Sequence, residues 1–378
     1  MMTDYFCHQA TSQNENCIVV LSNGGAQRGH TVVIPEGLRH VFHHFGSGTF
    51  AGADSYYCDQ YILNPMTFRK EYEELQELGF TPNIYAHPNC MWSTPFDVIL
   101  NQVVEDDRGD LRHGSCGMGI WETIVRHLRT KEPHVLPVFI TLSDTQQFLY
   151  IKAIRDLYFK MRLEETGLIL SEEWTEVITS DALIYNFLDD VKFMCDHISW
   201  VEDNFLAYYD NVVFENGQGL LLDQNNIKYG DNTTPSNTGI YNPHHIIRKV
   251  FSDAEVEVCY VTRTYLTRHG AGRFDEECDK SVINASMDDR TNVPNPYQGA
   301  IRYGLLNYDE LLERVHSDFA SVRGTNYSIS LALTHTNEFG HPDISSSCFS
   351  HIYTSDNETR NSVKKNLKNF KKGIDKWN

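Results

Sequence analysis

Phe214-Glu215-Asn216-Gly217-Gln218-Gly219-Leu220-Leu221-Leu222-Asp223 is the stretch on which the reading of this 378-residue chain turns. Residues 211–214, Asn-Val-Val-Phe, are β-branched and apolar between turn formers, and predict a short buried strand. Gly217-Gln218-Gly219 then breaks the run. Glycines let the backbone come close to a ligand, and the Gln218 amide offers both a donor and an acceptor. Taken alone, the stretch reads as a tight turn after a core strand.

Composition narrows the class. At 378 residues the chain can bury a sizeable core, as one large α/β domain or two. Hydrophobic residues make up 41% and charged residues 22%, an ordinary globular balance. A formal net charge of −19 argues against a general nucleic-acid binder, which needs a basic face against phosphates. It leaves room for a small anion held by a local cluster of donors. The nine cysteines are spread out with no C-x-x-C pair, which points to free thiols in a reducing, cytoplasmic setting. No apolar run is long enough to span a bilayer, and the N-terminal residues carry no signal-peptide apolar region.

Two further runs follow the opening stretch in order: Thr233-Thr234-Pro235-Ser236-Asn237-Thr238, and Tyr265-Leu266-Thr267-Arg268-His269-Gly270-Ala271-Gly272-Arg273-Phe274. Together the three resemble the adenylosuccinate synthetases, ligases that join aspartate to the 6-position of a purine nucleotide. That family's pattern runs Phe-Glu-Gly-Ala-Gln-Gly-Thr-Leu-Leu-Asp, then Thr-Ser-Ser-Asn-Thr, then Thr-Arg-Val-Gly-Ala-Gly-Pro-Phe. The resemblance implies an α/β fold, with a central, mostly parallel β-sheet and helices on both faces, forming one domain over 1–378. It also implies a homodimer, Mg2+, a purine nucleoside monophosphate and aspartate or a related amine donor, with no membrane or nucleic-acid partner.

Nearer the N-terminus, Cys17-Ile18-Val19-Val20-Leu21 reads as a buried strand. The run Gly25-Ala26-Gln27-Arg28-Gly29-His30-Thr31 follows it. On residues alone His30 is a solvated loop histidine. The run resembles the family's Gly-His-Asn-Ala-Gly-His-Thr, which gives His30 the role of catalytic acid, a role suited to imidazole. By the same resemblance Gly29 lends its carbonyl to magnesium, and Gln27 replaces an asparagine that contacts substrate phosphate. The family's phosphate-binding loop, Gly-Asp-Glu-Gly-Lys-Gly-Lys, has no counterpart before Cys17. Counting back from His30, its last lysine would fall at about Met1 or Met2, and Met2-Thr3-Asp4-Tyr5-Phe6 would open the helix that follows. Either the true chain starts upstream, which is the expectation, or this is a truncated, non-catalytic nucleotide-binding paralogue.

Asn64-Pro65 predicts a helix start, with Phe68, Tyr72, Leu75 and Leu78 as its apolar stripe and Gly79 as its end. A second helix is expected over 94–105, with Phe96, Ile99 and Val103 inward. Arg39-His40-Val41-Phe42-His43-His44 reads as an edge strand rather than a metal site. Residues 145–207 read as a helical subregion. Between these lies Gly114-Ser115-Cys116-Gly117-Met118-Gly119-Ile120, a glycine-rich loop before a helix. It resembles the family's Gly-Thr-Thr-Gly-Arg-Gly-Ile, which binds the purine monophosphate, so Ser115 and Cys116 become substrate-binding candidates. Met118 replaces the arginine, and Arg126 or Arg129 would supply the missing charge, across a dimer interface as in the family.

The resemblance further assigns Gln218 to the base at the catalytic centre, Leu222 beside the substrate, Thr234 to its phosphate and His269 beside the ribose. Residues 260–268 alternate as one strand. The family's arginine-rich aspartate loop is here 291–304, where Arg302 and Gly304 keep its Arg-x-Gly ending. Either Arg302, Asn295 and Gln298 bind the amino acid differently, or the amine donor is not aspartate. After an expected strand at 329–333, Thr334-His335-Thr336-Asn337 replaces Thr-Lys-Leu-Asp, whose aspartate reads guanine. An asparagine offers one donor and one acceptor, which suits adenine. ATP or dATP is therefore expected rather than GTP, with His335, Asn337, Thr354 and Ser355 around the nucleotide. The phage branch of the family, which acts on dGMP, also uses an adenine nucleotide, so the monophosphate is either IMP or dGMP. Residues 364–376 read as a solvated, lysine-rich helix with Leu367 and Phe370 docked.

Overall fold

A computed structural model of the protein describes residues 1–109, 112–130, 135–287, 292, 299–322, 325–341 and 349–367. Among the described residues, five parallel strands form one sheet, in the order Asn211–Glu215, Cys17–Leu21, Asp54–Tyr57, Ile84–Ala86, Ser199–Trp200. The unbroken apolar run at Cys17–Leu21 is explained by cover on both faces. Cys17 and Val19 pack under Cys7 and Ala10 of the helix Met2–Thr11, and Leu21 joins the large core of the helical subregion. Ile18 and Val20 face the other way, toward Leu206 and Ile246. The Asn211–Glu215 strand was expected to be buried. It lies at the sheet's outer edge, where only one neighbour covers it, so only Glu215 is buried.

A second sheet carries Glu257–Arg263, Ser328–Thr334 and His351–Thr354 in parallel. The Met2–Thr11 helix links the two sheets, because Met2 packs with Ala332 and Tyr353. The mostly parallel sheet with helices on its faces agrees with expectation. Two local readings do not. Residues 260–268 are not one strand: the chain leaves the parallel sheet at Thr264, and Tyr265–Arg268 pairs instead with Arg302–Leu305 in a small antiparallel sheet. Tyr265 has a separate small core there with Ile283, Met287 and Tyr303, and alternation in sequence does not reveal such a change of partner. The second miss is 364–376. Lys364–Leu367 is a strand antiparallel to His351–Thr354, an edge position that lysines tolerate well, and Phe370 lies outside the described residues.

The helices announced by local signals are present. Pro65–Glu77 is capped by Asn64, whose side chain accepts from the Thr67 N–H, with Phe68, Tyr72 and Leu75 buried and Leu78 left at the cap. Pro95–Arg108 starts in a full capping box made by Thr94 and Asp97. The helix Asp181–His197 buries Ile184, Phe187, Val191 and Met194, and Phe187 stacks on Trp92.

Candidate active site

The parallel pairing of Leu21 with Glu215 sets two loops side by side at the carboxyl ends of adjacent strands. The Ser22 hydroxyl donates to Asn216 Oδ1 at 2.5 Å, and the Gly217 N–H donates to Asn23 Oδ1 at 2.8 Å. Asn23 Nδ2 donates to Gln218 Oε1 at 3.2 Å. Gly24 lies beneath this lattice with φ of +74°, and a Cβ there would lie 2.9 Å from Gln27 Nε2 and 3.1 Å from Gln218 Oε1. Glycine is thus required twice over, by conformation and by space. Both polar atoms of the Gln27 amide and Nε2 of Gln218 are buried without a hydrogen-bond partner. Buried amides left in this way are costly unless a ligand or water completes them. A cavity of about 80 Å³ adjoins them, lined by Gly24, Ile62, Met91, Ile120 and Asn237 among others.

His30 begins the strand His30–Val33, and Glu215 ends its own strand opposite. His30 Nδ1 is 2.9 Å from Glu215 Oε1, and its Nε2 is 3.3 Å from the Gly217 carbonyl. Arg28 Nη2 donates to Glu215 Oε2 at 2.7 Å and to the Phe45 carbonyl. Burial alone would push the Glu215 carboxyl up, but the charges of Arg28 and His30 and the donors from His30 and Ser47 outweigh it. They hold the carboxyl well below the usual carboxylate range. Gly29, beside His30, is exposed. His30 and Gln218 are therefore neighbours across one pair of loops.

A second group surrounds the glycine-rich loop. Ser115 Oγ accepts from Asn101 Nδ2 at 2.9 Å, and burial pushes the Cys116 thiol up to about 11. At Gly114, with φ of +75°, a Cβ would lie 2.4 Å from the Gly270 Cα, so this loop meets the turn after Tyr265–Arg268 backbone to backbone. In that turn His269 Nε2 is 2.9 Å from Asn292 Oδ1, and its Nδ1 is buried without a partner. Leu222 and Thr234 are joined by a Thr234 N–H to Leu222 carbonyl bond of 2.8 Å. The structure thus brings the loop of Ser115 and Cys116 against the turn of His269, while Leu222 and Thr234 hold each other in a separate pair of loops.

Two expected substrate ligands are otherwise engaged. Arg126 is buried, with Nε and Nη2 on Asp97 at 2.9–3.1 Å and Nη2 on the Trp92 carbonyl at 2.7 Å. Its guanidinium joins one helix to another instead of facing the loop, and Arg129 pairs with Glu165. Arg302 is also occupied, because Glu277 takes its fork at 2.8 and 2.6 Å. Asn295 and Gln298 lie outside the described residues.

The third group stands at the carboxyl ends of Ser328–Thr334 and His351–Thr354. The Thr336 N–H and hydroxyl both donate to the Ser355 carbonyl at 3.1 Å, which gathers His335, Asn337, Thr354 and Ser355. His335 has φ of +60°, and Asn337 is exposed. Met1 touches both this group, through Ser355 Oγ, and the Thr31 carbonyl next to His30.

A sequence profile of adenylosuccinate synthetases matches residues 2–293. The chain belongs to the adenylosuccinate synthetase family. It is 25% identical over 286 residues to the adenylosuccinate synthetase of Microcystis aeruginosa, covering 72% of this chain and 59% of that one. To the Shewanella loihica enzyme it is 27% identical over 271 residues, covering 68% and 58%. The chain thus spans about three fifths of the length of the curated relatives it matches. Among solved structures, it matches the fully ligated adenylosuccinate synthetase of Plasmodium falciparum with a TM-score of 0.60 at 16% identity, over 89% of this chain and 74% of that one. It also matches the succinoaminodeoxyadenylate synthetase of cyanophage S-2L, bound to dGMP and dATP, with a TM-score of 0.58 at 12% identity, over 96% and 91%. At these identities both likenesses establish a shared fold. Within it, sequence reading named Gln27, His30 and Gln218 but gave no role to Arg28, Asn23 or Glu215. An arginine and a glutamate inside two apolar, glycine-rich segments were the available signal, because such charges are buried only when paired.

Proposed function

We propose that the protein is a nucleoside-triphosphate-dependent ligase. It phosphorylates the 6-oxygen of a purine nucleoside monophosphate and lets an amine, aspartate or a relative of it, displace that phosphate. The observation that carries the reading is the set of unpaired amide atoms on Gln27 and Gln218 around Gly24, beside His30. A purine and its phosphate would complete those donors and acceptors. Gln218 would hold the base and Gln27 the substrate phosphate, with Ser115, Cys116, Leu222, Thr234 and His269 around the remainder. His30 would stabilise charge as phosphate moves to the oxygen, which makes a good leaving group from a poor one.

Among the described residues no three His, Cys, Asp or Glu side chains gather to hold a metal. Magnesium needs little from protein when phosphates and waters supply most of its ligands, and the carbonyl of Gly29, an exposed residue, would suit that limited part. Bound there, the ion would neutralise phosphate charge. ATP or dATP is the proposed donor, with Asn337, His335, Thr354 and Ser355 around its base. Exposed Trp121 and Leu128 on the helix Ile120–Thr130 support a homodimer. The unbridged described cysteines support a cytoplasmic setting, and among the described residues no helix is long and apolar enough to cross a membrane.

Two monophosphates fit the reading, IMP and dGMP. The near-complete overlap with the cyanophage protein, 91% of that chain, favours testing dGMP first. The test is phosphate release from each pairing of IMP or dGMP with ATP, dATP or GTP, with aspartate present. Release with one monophosphate and an adenine nucleotide is expected. Silence with every pairing, together with no monophosphate binding by calorimetry, refutes the ligase.

A further inference from the structure

Glu215 is enclosed by four donors. Its Oε2 accepts from Arg28 Nη2 at 2.7 Å and from the Ser47 N–H at 3.1 Å. Its Oε1 faces His30 Nδ1 at 2.9 Å and accepts from the Thr3 hydroxyl at 3.0 Å. Each carboxylate oxygen therefore has two partners, and the group cannot turn without breaking two bonds. Arg28 is itself immobilised, buried and tied to the Phe45 carbonyl at 3.1 Å. Among the three ionisable side chains of the set the one open to solvent is His30, 27% exposed against 1% for Arg28 and 5% for Glu215. A buried ion pair made only for stability would have no reason to end on a half-open imidazole. This one does, and the ring's other nitrogen lies against Gly217, next to Gln218.

We infer that Glu215 is a positioning residue for the proposed reaction: with Arg28 behind it, it fixes the ring orientation and tautomer of His30. Glu215 Oε1, at 2.9 Å, is nearer to Nδ1 than Arg28 Nη2, at 3.4 Å, so Nδ1 carries a proton, while Nε2 lies 3.3 Å from the Gly217 carbonyl on the side of Gln218. This rests on the ligase reading for its catalytic meaning, but the proton on Nδ1 is argued from the 2.9 Å contact with Glu215. A carboxylate that orients a histidine in this manner acts through geometry and proton placement and does not itself take the proton.

Glu215→Gln tests it, because the amide keeps the volume and changes the donor pattern. Two N–H donors, from Arg28 and Ser47, converge on the Oε2 side, so the amide oxygen settles there and its NH2 faces His30. Nδ1 must then accept, and the ring proton moves to Nε2. Nitrogen-15 NMR of the histidine ring reads this directly. In the unaltered protein the His30 Nδ1 signal is expected to be protonated, and in Glu215→Gln it is expected to be bare. In turnover, kcat is expected to fall by about 100-fold or more with KM for the monophosphate changed little. A bare Nδ1 in the unaltered protein overturns the inference, even if the variant fails to fold. So does a folded variant with an unchanged tautomer, or with unchanged kcat. If the unaltered protein turns over no substrate pair, the ligase reading fails while the NMR result still decides the role of Glu215.

Discussion

Replacing Arg126 with Met separates a structural arginine from a substrate-binding one. The side chains of Arg126 and Asp97 are each 1% exposed. Methionine keeps the length of the stem and deletes the guanidinium, which leaves Asp97 a buried carboxylate without its cation and removes one partner from the Trp92 carbonyl. Breaking a buried pair from one side costs about 3–5 kcal/mol. Asp97 keeps two donors from Thr94, its N–H at 2.7 Å and its hydroxyl at 2.9 Å, so the lower end applies. About 3 kcal/mol corresponds to a roughly 150-fold loss in the folding equilibrium. Urea unfolding followed by circular dichroism should show a lower midpoint with an unchanged slope. Adding Asp97→Asn should recover part of the loss, because it removes the stranded charge. Turnover by the folded fraction should keep its KM for the monophosphate. A variant within about 1 kcal/mol of the parent, the usual worth of an exposed pair, with a raised KM would mean that Arg126 reaches the substrate after all.

Three further outcomes are expected. The folded-state pKa of Glu215 is depressed below its unfolded value, so its stabilisation is fully present above the unfolded carboxylate pKa and is lost as pH falls through the folded one. The melting-temperature gap between the parent and Glu215→Gln should therefore be constant near neutrality and begin to close below about pH 4.3, and a gap that widens on acidification refutes the assignment. Asn337→Asp should shift the ratio of kcat/KM from ATP toward GTP by about tenfold or more, as befits a base-edge pair; an unchanged ratio removes Asn337 from base recognition. Glu277→Gln frees the Arg302 fork, and since an exposed pair is worth at most about 1 kcal/mol, KM for aspartate should fall by no more than about fivefold with kcat unchanged. No change in KM would place the amine donor's carboxylate away from Arg302.

How much of this could be read from residues follows from the range of each signal. The strand Cys17–Leu21, the capped helix Pro65–Glu77 and the capping box at Thr94 are written within a dozen neighbouring residues, and each is present. The two failures both depended on a pairing partner outside the segment itself. Tyr265–Arg268 alternates well enough to extend the strand before it, and only the Arg302–Leu305 partner shows that it belongs elsewhere. Lys364–Leu367 is a strand because His351–Thr354 offers it an edge, which its lysines do not announce. Arg126 shows the same limit: nothing local distinguishes a cation bound for a phosphate from one bound for Asp97, 29 residues earlier.

The candidate site was legible as residue types and illegible as an arrangement, and strand register accounts for the difference. Leu21 pairs with Glu215, so Ser22 meets Asn216, Asn23 meets Gly217 and Gln218, and Arg28 and His30 reach the Glu215 carboxylate from one side. A slip of one residue in that pairing would turn Glu215 to the opposite face of the sheet, because side chains alternate with a period of two. A slip of Cys17–Leu21 instead would move Val19 and Leu21 off the face they share with Ala10 and the helical core, so apolar packing on both sides of that strand fixes its own place in the pairing. The apolar strand and the polar loops after it are thus one device. The burial of Ile18, Val19 and Val20 sets the register, and the register delivers Glu215 to His30.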